Sequence, residues 1–146
     1  MFESNHKHKL KNRISASGIG LHSGKTINLT LAPAPANSGI TFVRTDINGF
    51  AVAASPQHVG STVLATSLQV GVDSVATIEH LMATFAGLGV DNALVEVDAA
   101  ELPIMDGSAS PFVFMLESAG IAEQPATRQV IRVLAPIQVC DGDAFI

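Results

Sequence analysis

Apolar and polar residues alternate over Ile27-Asn28-Leu29-Thr30-Leu31 and again over Ile40-Thr41-Phe42-Val43-Arg44. A period of two is the mark of a half-buried strand. Residues 10–20 read as an earlier strand that ends in Gly18-Ile19-Gly20, and Leu21-His22-Ser23-Gly24-Lys25-Thr26 reads as a hairpin turn. Pro33, Pro35, Asn37 and Gly39 mark a loop, and residues 46–49 mark a turn. Residues 51–54 form a short edge strand closed by Ser55-Pro56, and residues 62–70, rich in β-branched side chains, form a longer strand.

The period then lengthens. Ile78, Leu81, Met82 and Phe85 fall at i, i+3, i+4 and i+7, the apolar stripe of a helix, with Thr77 as its expected N-cap and Gly87 or Gly89 as its stop. A strand over residues 92–97 follows, then the tight connection Leu102-Pro103-Ile104-Met105-Asp106-Gly107-Ser108. Ser110-Pro111 opens a second helix, with Ser110 as cap, a stripe of Phe112, Met115, Leu116 and Ala119, and Gly120 as its end. Gln124-Pro125-Ala126 reads as a linker, residues 130–134 and 137–140 as strands, and Asp141-Gly142-Asp143 as a turn. The expected fold class is α+β, a mostly antiparallel sheet with two helices packed on one face. Residues 1–126 form one α+β domain, and residues 127–146 the incomplete start of another.

Composition narrows the class. The 146 residues are enough for one domain with a core; 47% are hydrophobic and only 14% charged, with a mean hydropathy of +0.37. No run of ~18 apolar residues suits a membrane span. The polar start Met1-Phe2-Glu3-Ser4-Asn5-His6-Lys7-His8-Lys9 lacks the apolar segment of a signal peptide. A cytoplasmic protein without stable membrane insertion is expected. A single cysteine, Cys140, excludes an internal disulfide and a cysteine-based zinc cluster. A net charge of −5, with neither Trp nor Tyr, disfavours nucleic acid as a partner.

Several residues carry candidate chemistry. Glu79 and His80 stand side by side in the first helical turn, off the apolar stripe. From the residues alone they read as a surface glutamate beside a partly packed histidine, with a catalytic pair as the alternative. Gly24-Lys25-Thr26 invites a phosphate-loop reading, which fails because Ile19 stands where that loop needs glycine and a strand follows instead of a helix. His22 is a polar turn residue or a site-facing group. Asp106 is a site acid or, with Gly107, turn chemistry.

Four segments together go further: Gly18-Ile19-Gly20-Leu21-His22-Ser23-Gly24; Leu31 to Gly39 with its Ala-Pro-Ala-Pro-Ala-Asn core; Thr77-Ile78-Glu79-His80-Leu81 continued through Ala86-Gly87-Leu88-Gly89-Val90-Asp91-Asn92; and Glu101-Leu102-Pro103-Ile104-Met105-Asp106-Gly107-Ser108-Ala109-Ser110-Pro111-Phe112. In this order and spacing, over residues 9–143, they resemble the N-terminal half of the UDP-3-O-acyl-N-acetylglucosamine deacetylases, zinc-dependent enzymes of lipid A biosynthesis. The resemblance implies the first half of a two-domain β-α-α-β sandwich with its active site between the halves. It makes His80 a zinc ligand. Glu79 becomes the general base for the metal-activated water that attacks the acetamide of UDP-3-O-acyl-N-acetylglucosamine. Leu21, His22 and Thr62 are candidate substrate contacts.

Catalytic zinc takes three protein ligands and an open position. In the family the other two ligands, a His and an Asp four residues apart, belong to the second half, as do a lysine and a histidine that assist the reaction. No histidine follows His80 in this sequence. The chain alone is therefore expected to be a truncated, inactive half without a tight zinc site, prone to self-association through an exposed apolar face. The alternative is a non-catalytic remnant of the same fold.

Overall fold

The computed structural model describes residues 5–146; residues 1–4 of the polar N-terminal stretch lie outside the described residues. The strands are β1 (His6–Leu10), β2 (Ile14–Ile19), β3 (Thr26–Pro33), β4 (Ile40–Arg44), β5 (Ala51–Ala53), β6 (Leu68–Val70), β7 (Asp73–Val75), β8 (Ala93–Val97), β9 (Ile121–Thr127), β10 (Cys140–Asp141) and β11 (Ala144–Phe145). The helices are α1 (Glu79–Leu88), between β7 and β8, and α2 (Ser110–Ala119), between β8 and β9.

The central sheet runs β2-β3-β8-β4-β5 and is antiparallel except where β4 lies parallel to β8. The α+β class is as expected. Alternation makes the core: Ile27, Leu29 and Leu31 of β3 are fully buried, with Phe42 of β4 and Val95 of β8. They join Leu81 and Phe85 of α1 and Phe112, Met115 and Leu116 of α2 in one cluster. The apolar stripes of both helices thus face their own sheet, each large side chain contributing about 1.5–3 kcal/mol through burial. Ile78 is buried too, and Met82 packs at the margin. Gly89, in the left-handed conformation at φ 68°, ends α1 by turning its N–H back to Phe85 O and Ala86 O.

Several expectations change in the fold. Residues 10–20 are not one strand: the chain breaks after Leu10, and β1 crosses to pair with β9. That pairing turns the supposed linker around Gln124 into strand. Gln124 is buried, donating to Ala34 O at 3.0 Å and accepting from Asn92 Nδ2 at 2.8 Å. The long strand over residues 62–70 shortens to β6, because β6 folds back on β7 and leaves residues 61–66 as a loop. Neither helix has its expected cap. Ile78 and Ala109 occupy the cap positions without side-chain capping bonds, and Thr77 takes a left-handed φ of 58°. Residues 130–134 and 137–138 are exposed and form no strand; Val139 exchanges main-chain bonds with Ile146 at 3.1 and 3.0 Å, extending the short β10–β11 hairpin that forms around the expected turn.

Phe42 lies at the centre of the core with no exposed surface. Phe42→Ala should lower the unfolding free energy by about 3–5 kcal/mol, read from urea denaturation. A loss under about 1 kcal/mol would show that the core is not centred there.

Candidate functional site

Residues 100–104 form a brace that joins two otherwise separate pieces of chain. On one side Ala76 donates to Ala100 O at 2.9 Å and accepts from Leu102 N at 3.0 Å. On the other, Ile104 donates to Ile19 O at 2.9 Å, and Pro103 bridges to Gly20. The brace therefore sets the chain just before α1 against the turn that follows β2.

The first side positions the Glu79-His80 pair. Ala76 is held in extended pairing, and two residues later Ile78 is already helical, its N–H bonded to Thr66 O at 3.3 Å. Thr77 makes the change of direction alone. A β-branched residue at positive φ is strained, at roughly 1–3 kcal/mol. Its hydroxyl is buried with no hydrogen-bond partner among the described residues. Beyond it, Glu79 Oε2 accepts the Thr66 N–H at 3.0 Å, which ties the first turn of α1 to the 61–66 loop. A carboxylate in the first turn is also favoured by the helix dipole. His80 is half-buried, and its carbonyl accepts the Thr84 hydroxyl at 2.8 Å.

Asp106 lies close enough to feel His80. Its Oδ1 accepts both the N–H and the hydroxyl of Ser108 at 2.8 Å, the turn chemistry read from the sequence. These bonds hold its carboxyl below the ordinary aspartate range, with a smaller electrostatic contribution from His80. Met105 (φ 57°) and Leu64 (φ 63°) repeat the left-handed strain of Thr77. The fourth non-glycine residue at positive φ, Asn37 (φ 67°), lies in the loop before β4 and is of a type that tolerates this conformation.

The other side of the brace positions the turn at residues 20–25. Glu101 is buried at 5% exposure and carries two amides of that turn, accepting from Ser23 N at 2.7 Å and His22 N at 3.2 Å. Gly20 packs against this carboxylate, and any Cβ there would overlap Glu101 Oε1 and Ser23 Oγ. Burial pushes the carboxyl pKa of Glu101 up, but the Ser23 and His22 donors outweigh it and leave the value below the ordinary one. Sequence inspection gave Glu101 no role. The contact spans 78 and 79 residues, so no local pattern could signal it.

The fold brings His22 and the 61–66 loop together. A groove of about 230 Å³ has His22 on one wall and Ser61, Val63, Leu64 and Ala65 on the other. Thr62 is exposed on this loop, and Leu21 is 59% exposed at the turn tip, but neither lines the groove. A cleft of about 550 Å³ lies on the far side of the turn, lined by His22, Lys25, Arg44, Asp46, Asp98 and Glu101 among others. Neither the groove nor the cleft is lined by Glu79 or His80, and the cleft's Arg44 and Asp46 are paired with each other.

Among the described residues, no three His, Cys, Asp or Glu side chains converge on a point where a metal ion could sit. His80 alone does not fit a complete zinc centre. No helix among the described residues is long and apolar enough to cross a membrane.

A sequence model of the UDP-3-O-acyl N-acetylglycosamine deacetylases matches residues 7–146. The chain belongs to this family. It is 54% identical over 137 residues to the UDP-3-O-acyl-N-acetylglucosamine deacetylase of Cellvibrio japonicus, covering 93% of this chain and 45% of that protein. With the enzyme of the same name from Chromohalobacter salexigens it shares 56% over 131 residues, 89% of this chain and 43% of the relative. With that of Legionella pneumophila it shares 50% over 137 residues, 93% of this chain and 45% of the relative. The chain thus spans a little under half the length of these relatives. The family resemblance drawn from the four sequence segments holds.

The depressed pKa of Glu101 fixes the sign of a pH effect. A carboxyl whose folded pKa lies below its unfolded one adds stability that is complete above the unfolded value and is lost as pH falls through the folded one. Stability should therefore decline from about pH 4.5 downward, measured by urea unfolding at a series of pH values. Glu101→Gln should flatten that decline. An equally steep decline in the variant would place its origin elsewhere.

Proposed function

We propose that this chain is the N-terminal domain of a zinc-dependent deacetylase that hydrolyses the acetamide of UDP-3-O-acyl-N-acetylglucosamine in lipid A biosynthesis. Family membership carries the reading, and the geometry around Glu79 and His80 supports it. The Thr66 N–H holds Glu79 Oε2, which leaves Oε1 as the oxygen to take a proton. Glu79 acts as general base, removing a proton from the water that adds to the acetamide carbonyl. That proton is then available to the departing sugar amine, so amide and water become acetate and amine. His80 supplies one imidazole for the zinc, and the remaining donors come from outside the described residues. Leu21, His22 and Thr62, on the turn and loop facing this helix start, contact the substrate. The protein works in the cytoplasm.

The second reading is a non-catalytic remnant of the same fold. The two separate on metal content and acetate release. In a complete deacetylase containing these residues, Glu79→Gln should lower kcat by about 10²–10⁴ with zinc retained, and His80→Ala should lose zinc. This chain alone should keep no stoichiometric zinc after dialysis against a mild chelator. Acetate release unaffected by Glu79→Gln would overturn the assignment of the base.

We also propose that the isolated chain associates with itself. The face once expected to be exposed is spent on its own sheet, but Phe114 of α2 is 70% exposed, and Val63, Leu64, Val130, Ile131 and Leu134 are more so. Exposed apolar side chains favour association where they gather into a contiguous patch. Light scattering should show oligomers at high concentration, and a monodisperse monomer there would refute it.

A further inference from the structure

We infer that Glu101 is a positioning residue that holds the Leu21-His22 turn in register with Glu79 and His80. The inference rests on the reading of Glu79 and His80 as the reacting end of the site. Three observations meet at this side chain. Its carboxylate, almost wholly out of water, receives the consecutive N–H groups of His22 and Ser23. Hydrogen bonds to a charged acceptor are stronger than neutral ones, and most so where water is excluded. Its own main chain lies in the brace, bridged in parallel to Ala76, three residues ahead of Glu79. Gly20, at the root of the turn, leaves the space that the carboxylate fills, since a Cβ there would overlap Oε1.

One residue therefore touches both parts. Its backbone registers the start of α1, and its side chain registers the turn. Main-chain bridges of Ile104 to Ile19 and of Pro103 to Gly20 fix the root of the turn, but beyond the root Leu21, His22, Ser23, Gly24 and Lys25 are all exposed, and the hairpin closes on itself through Gly20 N to Lys25 O and Gly24 N to Gly20 O. Those bonds shape the turn without aiming it. The bonds to Glu101 aim it, at the groove that His22 shares with the 61–66 loop, the loop whose Thr66 N–H holds Glu79. Without Glu101 the hairpin would persist, and its tip would no longer be fixed against the loop. The carboxylate touches neither Glu79 nor His80, so it acts through the turn.

The test has two arms. In this chain, Glu101→Gln keeps the shape but turns an amide N–H₂ toward one of the two donors. Amide exchange at His22 and Ser23, followed by NMR, should rise on the order of tenfold or more, while the amides of β3 and β8 keep their protection. Gly20→Ala should produce the same local change from the opposite side, and the two substitutions together should add little to either alone, because they break one contact. If Glu101→Gln does not fold, Glu101→Asp serves: it keeps the charge but is one methylene too short to span both amides.

In a complete deacetylase containing these residues, Glu101→Gln should raise KM about tenfold with kcat within about threefold, the pattern of lost substrate positioning. A purely structural role would lower the melting temperature and leave KM and the His22 and Ser23 exchange rates unchanged, and that result would overturn the inference. If Glu79→Gln left kcat intact while the exchange rates rose as expected, the reading of the reacting end would fail and the turn contact would stand. If Glu79→Gln abolished turnover but Glu101→Gln changed neither exchange nor KM, the inference alone would fail.

Discussion

Two main-chain bonds between Ala76 and residues 100–102 decide where α1 begins and which way it points. They hold Ala76 extended against the brace, yet Ile78 is already helical, so the whole reversal falls on Thr77. A β-branched residue accepts positive φ only when its neighbours leave no other route. Here the brace holds one side and Thr66 holds the other, through its carbonyl to Ile78 N and its N–H to Glu79 Oε2. The strain at Thr77 is the cost of placing a carboxylate and an imidazole at the first turn of a helix whose opposite face is committed to the core.

The charged groups of this part of the molecule serve mainly to place backbone. Glu101 binds two turn amides, Asp106 binds the N–H of Ser108, and Asp98 receives Asn28 N at 2.8 Å. Arg128 does the corresponding work at the far end of α1, joining Asp91 and the carbonyl of Gly89, where a cation is favoured by the helix dipole. In a chain with only 14% charged residues, five carboxylates, those of Glu79, Asp91, Asp98, Glu101 and Asp106, accept main-chain N–H groups. Glu79 has one bond, from the Thr66 N–H, and is only partly buried, in keeping with the role of general base proposed for it.

Much of the fold was legible from local pattern. The alternation in β3 and β4, the two helical stripes, Gly89 and Gly120 as helix ends and the turn at residues 21–26 all reflect burial of one face or a conformation open to few residues. The misread places share one cause. β1 and β9 are each too polar to announce a strand, and they become one because the chain ends of the domain pair across it, with Gln124 buried among Asn92 and Ala34 O. Residues 62–66 have strand propensity, but the β6–β7 hairpin and the bonds from Thr66 to Ile78 and Glu79 draw them into a loop. Thr77 has the right chemistry for a cap, and the brace gives it a different task.

The candidate site divides in the same way. Glu79 and His80 could be named from sequence as neighbours on a helix, and the family could be recognised from four short segments, because helical periodicity and motif order are properties of the chain itself. Asp106 as a turn residue was equally local. That Thr66 holds Glu79, that Asp106 lies within electrostatic reach of His80, and that Glu101 carries the turn of His22 were decided by tertiary structure alone. Each joins groups 13, 26 or 79 positions apart, and such contacts exist only once the brace and the sheet have brought distant stretches of backbone to hydrogen-bonding distance.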